Sequence, residues 1–529
     1  VVNDGGAEAS VAMEAAVAEG GMPDSGMSDV VTDRGVVVDT CVPMEDLPDP
    51  DGLDTNCDGI DGDAANAVFV SETAPAGGDG SRARPFRTLG EGLRAVTAVR
   101  KQVLVAAGNY GESVTLVEGA IVAGGYDAMT WQRGGASVFT ASCPVLVARN
   151  IAADTRLQSI EFVGRDSSSP GSSCVAAIIE NSDGLRWTDS RIRAGRGADG
   201  ADGAAGTVSA MVAGAGGNGT PGVRAAASGN PQASGGASGS GCFRGGAGGS
   251  GYGNPMTVPP RPYTASNGET PTLAAVSGGP GGTAGRLSSQ PLDVSSVGAN
   301  GGDGAEGATG ARGASATMTF CSVSAMGYSA ECASGASGLE GALGSGGGGG
   351  GGGGANNCLT SEFGFNGGGG GGGGAGGCGG GPGAGGAGGG ASIGVLVLGG
   401  RPTIQRVSIE SASGGNGGRG GSGAAGNSGG SGGQGAACSI GGVPCRCMDN
   451  SLVPARGGNG GRGGVGGRGG AGGGGAGGPS IGIVLANGAT MPAGPNPIRL
   501  GTPGAGGFTG DAMGTEGARG ISQEIFTVR

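Results

Sequence analysis

Glycine falls on every third position over two long stretches of this chain, and few backbones can use such a sequence. The first stretch carries Gly414, Gly417, Gly420, Gly423, Gly426, Gly429, Gly432 and Gly435; the second carries Gly457, Gly460, Gly463, Gly466, Gly469, Gly472, Gly475 and Gly478. That beat matches a left-handed three-fold helix, with three residues per turn, about 3.1 Å rise per residue and no internal hydrogen bonds. One edge of each rod is then bare backbone. In Gly414-Gly415-Asn416 and Gly460-Gly461-Arg462 two edges are bare and the third alone carries side chains. Bare edges let rods approach until N–H groups reach carbonyls on neighbours, which matters because unpaired buried backbone groups are costly. Ordering glycine costs conformational entropy. A lone rod is therefore expected to be unstable, and a bundle stable. About 22 residues at that rise make each rod roughly 70 Å long.

A collagen triple helix also needs glycine at every third position, but here the intervening positions hold almost no proline, against the composition collagen requires. Gly/Ser-rich linkers are flexible and keep no phase. Two tracts of eight triplets in strict phase point instead to a polyglycine II bundle.

Composition narrows the rest. Gly accounts for 137 of 529 residues, aromatics for 3%, and histidine is absent. A core must come from Val, Ile, Leu and Ala in short runs, and no apolar stretch is long enough to span a membrane. The chain opens at Val1, which reads as a mature chain after removal of an export signal. The cysteines are Cys41, Cys57, Cys143, Cys174, Cys242, Cys321, Cys332, Cys358, Cys378, Cys438, Cys445 and Cys447. Without histidine or a CxxC pair, an even number reads as disulfides in an oxidising compartment, with open connectivity. Cys445 and Cys447 are close enough for one strained bridge, but pairing of each with a different loop is the favoured reading. The expected location is secreted, on a bacterial cell surface.

The net charge of −12 is uneven: residues 1–63 hold sixteen acids and one base, Arg34. The acidity belongs to an N-terminal arm on a near-neutral, slightly basic body. No basic patch interleaved with aromatics appears, so nucleic acid is not an expected partner. Residues 1–40 form this arm, with a short helix expected over Glu8–Glu19 and a strand at Val36–Val38. It reads as a solvated spacer or as an arm that orders against another subunit.

Residues 41–66 are more specific. Asp49, Asp51, Asp54, Asn56, Asp58, Asp61 and Asp63 alternate with glycines that allow tight turns. Such a run can converge oxygens on Ca2+, which takes six to eight of them, although the spacing is not that of an EF-hand. The run resembles the Asp-rich repeats of thrombospondin type 3 modules and similar cysteine-containing motifs in bacterial surface proteins, in a single copy. The resemblance implies calcium held by those seven residues. The plain alternative is a solvated acidic hinge closed by a Cys41–Cys57 bridge.

From Ala67 short apolar runs take over. Val68–Ser71, the Arg84-Pro85-Phe86-Arg87-Thr88-Leu89 segment leading into a helix to about Val99, and Val103–Tyr110 resemble the opening of secreted right-handed parallel β-helix proteins of the pectin-lyase-like class. The match covers residues 67–125. Further strands are expected at Val114–Val117, Ala120–Ala123, Ser137–Thr140, Val145–Ala148, Leu157–Val163, Val175–Ile179 and Leu185–Ile192, at spacings too tight for crossover helices. Small strands stacking turn upon turn make a β-solenoid. A weak repeat aligns Ser173–Ile179 with Ser392–Leu398 and Ser480–Leu485. Strands ending at Ile192–Gly195 and Val407–Ala412 run straight into glycine triplets.

The fold expected is thus all-β: a right-handed parallel β-helix (solenoid) with an inserted polyglycine II bundle. Its parts are β-helix over 67–194, a glycine-rich insertion over 195–391, a rung at 392–412, a glycine-rich hairpin over 413–479, and last rungs over 480–529. Six phased runs in the larger insertion (Gly197–Gly206, Gly245–Gly251, Gly279–Gly285, Gly298–Gly313, Gly346–Gly354 and Gly367–Gly389) plus the hairpin give about eight rods on the three-residue repeat. Cys242-Phe243, Tyr252, Tyr263, Phe320-Cys321, Cys332, Cys358, Phe363 and Phe365 are expected at disulfide-locked tips, with Phe526–Val528 closing the last rung.

The pectin-lyase-like resemblance implies a class containing polysaccharide lyases and hydrolases. Hydrolases need paired carboxylates. Here Glu161, Asp166, Glu180, Asp183, Asp189 and Glu410 are spread through turns. Absence of histidine excludes His-based triads, and no GxxxxGK[ST] occurs. The expectation is a structural protein, not an enzyme. Self-association into a homopolymeric filament leads, because solenoid ends leave strand edges. A capping helix argues against simple end stacking and favours the acidic arm as connector. A monomeric adhesin or glycan-binding module is the alternative, with ice binding and polysaccharide lyase activity below it.

Overall fold

A computed structural model describes residues 45–223, 233–251, 266–273, 276–285, 297–317, 332–354, 366–446, 456–490 and 494–528, with short strand pieces at 30–31, 37–38, 323–324, 327–328, 356–357 and 364–365. Expected features at Glu8–Glu19, Cys41, Tyr252, Tyr263, Phe320, Cys321, Cys358, Phe363 and Cys447 lie outside the described residues. In the arm, Val30–Val31 pairs antiparallel with Val37–Val38.

Short Val/Ile/Leu runs, broken by residues that turn the chain, stack into three six-stranded parallel sheets. The first sheet holds Val68–Val70, Gln102–Ala106, Ile121–Tyr126, Thr155–Gln158, Leu185–Thr188 and Thr403–Gln405. The second holds Gly108–Tyr110, Ser137–Ala141, Ile160–Gly164, Arg191–Arg193, Ser408–Glu410 and Ile498–Arg499. The third holds Val114–Thr115, Leu146–Arg149, Cys174–Glu180, Ser392–Leu398, Ser480–Ala486 and Ser522–Thr527. Among the described residues five turns of chain visit the three sheets in that order, with Val68–Val70 before them and Ile498–Arg499 and Ser522–Thr527 after them. The architecture is all-β and compatible with a parallel β-helix.

Equivalent positions of successive turns stack, so one inward position becomes a ladder. In the second sheet that ladder is Tyr110, Phe139, Phe162, Ile192, Ile409 and Ile498, each in register with the next. Tyr110 stacks on Phe139 at 4.7 Å between ring centroids, and Phe139 lies 5.7 Å from Phe162. In the first sheet Val122, Leu157, Trp187 and Ile404 form the matching ladder. These side chains are fully or almost fully buried, apart from the half-buried Ile498 at the last turn.

One end of the stack is closed by the helix Leu89–Arg94. Thr88 and Glu91 form a reciprocal capping box, and Leu89 and Leu93 enter the core. The helix is shorter than the expected 86–99. Thr88→Ala should cost about 1 kcal/mol, read as a lowered urea midpoint with an unchanged slope.

The corners correct two sequence-based strands. Leu157–Val163 and Leu185–Ile192 are each two strands, split at Ser159 (φ 54°) and Asp189 (φ 46°); Arg406 (φ 52°) repeats the corner one turn later. A second corner, after four of the third-sheet strands, is turned by Asn150, Asn181, Gly399 and Asn487, with φ between 45° and 70°. Asn and Gly enter the left-handed region most readily. The repeat alignment also shifts by one residue. Cys174, not Ser173, is in register with Ser392, while Ser392 faces Ser480 as expected.

The glycine-rich segments leave at a single corner, between the second and third sheets. In early turns that corner is short, at 111–113, 142–145 and 165–173; in later turns it becomes the excursions 194–391, 411–479 and 500–521. The third excursion joins the two expected ones. Within them the chain runs in extended segments with few helix or strand ladders of their own. Their backbone groups bond to other segments at every third residue: Gly200, Gly203 and Gly206 donate to Asn416, Arg419 and Ser422 carbonyls at 2.7–2.8 Å.

Candidate functional site

The bundle is best understood from its central segment, 366–391. Three consecutive glycines there make six hydrogen bonds to six different segments. Gly372, Gly373 and Gly374 donate to the carbonyls of Gly217 (2.9 Å), Gly246 (2.7 Å) and Gly461 (3.0 Å). Their own carbonyls accept from Gly433 (2.7 Å), Gly239 (2.9 Å) and Gly347 (2.9 Å). Every edge is therefore covered, and no position has room for a side chain. A Cβ on Gly372, Gly373 or Gly374 would lie 1.9–2.0 Å from a neighbour's carbonyl oxygen.

A run of three glycines thus marks a stretch enclosed on every edge, while Ala375 and Cys378 take enclosed edge positions further along the same segment. Segment 413–436 has two covered edges and presents Asn416, Arg419, Ser422, Ala425, Ser428, Ser431 and Gln434 as one exposed row. Segment 456–479 presents Asn459, Arg462, Val465 and Arg468 in the same way, then switches to Ala471, Gly474 and Gly477. The switch falls where the third excursion lies over it: a Cβ on Gly474 would meet the Gly507 oxygen at 1.9 Å, and one on Gly477 the Gly504 oxygen at 2.2 Å.

Side chains on the exposed rows also serve the backbone. The Oδ1 atoms of Asp199 and Asp202 accept from the Asn416 and Arg419 N–H groups, both at 2.7 Å, and Asn416 Oδ1 accepts from Ala505 N at 3.0 Å. Asn300 and Asp303 do the same for Asn459 and Arg462 at 2.8 and 2.7 Å. Asp and Asn thereby satisfy N–H groups that would otherwise lack a partner segment. A groove of about 500 Å3 lies between the exposed rows; Thr309, Arg312, Ser422, Arg468, Asp511 and Met513 are among its lining. Arg312 pairs with Asp511 at 2.5 Å, and Arg468 Nε donates to the Gly423 carbonyl at 3.1 Å.

More extended segments pack here than the eight expected. Segments 233–241 and 266–270 join the bundle, as do 332–345, 501–510 and 516–521. Two expected tip assignments are corrected. Cys332 is not at a tip: it packs against Val175, Ile393 and Leu396 on the outer face of the third sheet. Cys445 pairs with Cys438 in its own tip instead of with another loop. Cys242 bridges to Cys378, and Cys143 to Cys174, while Cys57 and Cys332 are disulfide-bonded as well.

The Asp-rich segment lies against the outer face of the first sheet, where Ile60 packs with Phe69, Leu104, Tyr126 and Trp131. Its carboxylates are largely engaged by backbone N–H groups. Asp49 Oδ1 accepts from Asp51 N (2.8 Å) and Gly52 N (2.7 Å). Asp54 accepts from Asp58 N and Gly59 N, Asp58 from Ile60 N and Ala64 N, and Asp63 from Ala65 N. Asn56 spans to Asp58 at 2.9 Å, and Asp51 is exposed. Asp61 is buried and pairs with Arg133 at 2.7 Å. Burial pushes the Asp61 carboxyl above its ordinary value, with Arg133 opposing. Among the described residues no three Asp, Glu, Cys or His gather as a metal site.

The six acids weighed for catalysis are engaged as well. Glu180 pairs with Arg149, Asp189 with Arg406, and Glu410 with Arg191 and Arg193, across adjacent turns; Glu161 lies 3.8 Å from Arg193. Asp166 and Asp183 accept from the backbone N–H groups of Arg196 and Arg401.

No protein-family model, curated protein or solved structure matches this chain.

Proposed function

We propose that the chain is an extracellular structural protein, the subunit of a self-assembling surface filament or fibre, built as a parallel β-solenoid whose consecutive turns extend polyglycine II rods. The observation that carries this reading is the Gly372–Gly374 triplet, whose six backbone groups bond to six separate segments. Three-fold rods lack internal hydrogen bonds, and a bundle supplies them laterally. Sequence spent on this scale to make a dense, side-chain-free body serves shape and stiffness better than binding or catalysis.

Association is proposed through the edge strand Ser522–Thr527, which is exposed at five of its six residues. An uncovered edge is a template for another strand; because the opposite end of the stack is closed by the Leu89–Arg94 helix, a propagating filament needs a second contact, and the acidic N-terminal arm is proposed to supply it. The disulfides favour an oxidising, extracellular setting. No helix among the described residues is long and apolar enough to cross a membrane.

Electron microscopy of the purified, oxidised protein tests the reading. Regular filaments are expected, and uniformly single particles across a wide concentration range would refute it. Single particles that bind glycan arrays would favour the second reading, a monomeric adhesin. That reading draws on the exposed row from Asn416 to Gln434, which offers polar side chains at triplet spacing.

A further inference from the structure

An acidic loop that packs on a protein needs positive charge, and here the chain itself supplies it. Arg133 reaches into the Asp-rich segment from the turn after the Ile121–Tyr126 strand. Its Nε donates to Asp61 Oδ2 at 2.7 Å and its Nη2 to the Asp49 carbonyl at 3.2 Å, while Nη1 donates to the Gly124 carbonyl. The guanidinium carbon lies 4.5 Å from the centre of the Tyr126 ring, and Tyr126 Oη donates to the Asp61 carbonyl at 2.8 Å. Asp61 Oδ1 accepts from Asp49 N at 3.0 Å, which closes the circuit.

A planar, permanently charged fork reaching one carboxylate and two carbonyls gathers oxygens as a bound cation does, but in a fixed plane and from a covalent tether. Asp49, Asp54, Asp58 and Asp63 are turned onto the backbone of their own loop and Asp51 is exposed, and among the described residues no three acids converge for a second cation.

We infer that Arg133 is the internal cation of the Asp-rich segment, so that residues 46–66 hold their fold on the first sheet without calcium. A buried carboxylate left without its charge partner is strongly destabilised. Loss of the guanidinium should therefore release this segment first, and the solenoid behind it only later.

Hydrogen exchange on the intact, oxidised protein tests this directly. Amide exchange across 46–66 is expected to agree within about twofold in excess calcium ion and in excess EDTA. In Arg133→Gln the same amides should exchange at least about tenfold faster, with the Leu157 and Trp187 strands unchanged. Arg133→Lys keeps the charge but not the fork and should recover only part of the protection. Calcium slowing exchange about tenfold in the natural protein would overturn the inference, as would full protection in Arg133→Gln. If Arg133→Gln does not fold, the comparison of calcium with EDTA on the natural protein decides.

Discussion

Gly373→Ala is expected to break the bundle. The new methyl carbon would lie 1.9 Å from the Gly347 carbonyl oxygen and 2.6 Å from its carbon, both backbone atoms held by their own hydrogen bonds. A clash with a flexible side chain is relieved by rotation; this one requires two whole segments to part. Overpacking a core by a methylene costs about 1–3 kcal/mol. Here separation also leaves lateral hydrogen bonds unmade, at about 1–3 kcal/mol for each stranded group. A loss of at least about 4 kcal/mol follows, in the range that marks a severe substitution. Arg462→Ala, on the exposed row of a segment that bonds directly to the central one, should stay within about 0.5 kcal/mol. Urea denaturation of both variants provides the measurement. Equal effects would show that the central segment is not tightly enclosed.

The second large effect belongs to the Cys242–Cys378 bridge. It ties the turn after segment 233–241 to the middle of the central segment, closing 136 residues of chain. On the chain-entropy account, closing a loop of that length contributes about 5 kcal/mol. The Cys438–Cys445 bridge closes a separation of 7 residues, and the same account gives it about 2 kcal/mol. Cys242→Ser with Cys378→Ser is thus expected to lower unfolding free energy by about 3 kcal/mol more than Cys438→Ser with Cys445→Ser, measured without reductant. The reverse order would mean that the glycine segments find their register without the bridge.

Much of this was legible in the sequence because two simple periods dominate it. Apolar runs such as Val103–Val105 and Ser392–Leu398 mark strands, and both lie where expected. Glycine phase marks the long segments 413–436 and 456–479, including where they leave the stacked sheets. Segments 233–241 and 266–270 escaped because their phase is too short to read: the first holds Gly235, Gly236, Gly239 and Gly241 between Ser and Ala, and the second only Gly268 beside Ser, Asn and Glu. The corners at Ser159, Asp189 and Arg406 escaped because no glycine marks them, and the inward pattern runs across them unbroken. One further signal was available and unread. Asp199, Asp202, Asn300 and Asp303 all fall on the outward position of a triplet, where an acceptor can reach the N–H of the next segment.

The candidate site was less legible for a physical reason. Carboxylate spacing shows which oxygens can converge, but not what other partner competes for them. Arg133 is 72 residues from Asp61 and is brought to it only by the sheet. Asp-rich spacing alone therefore shows the oxygens of this segment and not the guanidinium that reaches Asp61.

The pairing between excursions also governs how such a protein can change length. Segments 195–223 and 413–436 run side by side, and Gly197, Gly200, Gly203 and Gly206 keep a constant offset to their partners. Then ten residues separate Gly206 from Gly216 while nine separate Ser422 from Ser431, and the extra residue is absorbed in the stretch 207–215. A gene for this fold can lengthen or shorten a rod freely only by whole triplets, and best in adjacent rods together. Any other insertion turns the following side chains onto a bare edge, unless a local bulge resets the phase. Variation among copies of such a gene should therefore come in steps of nine nucleotides through the rods, with irregular steps confined to the turns.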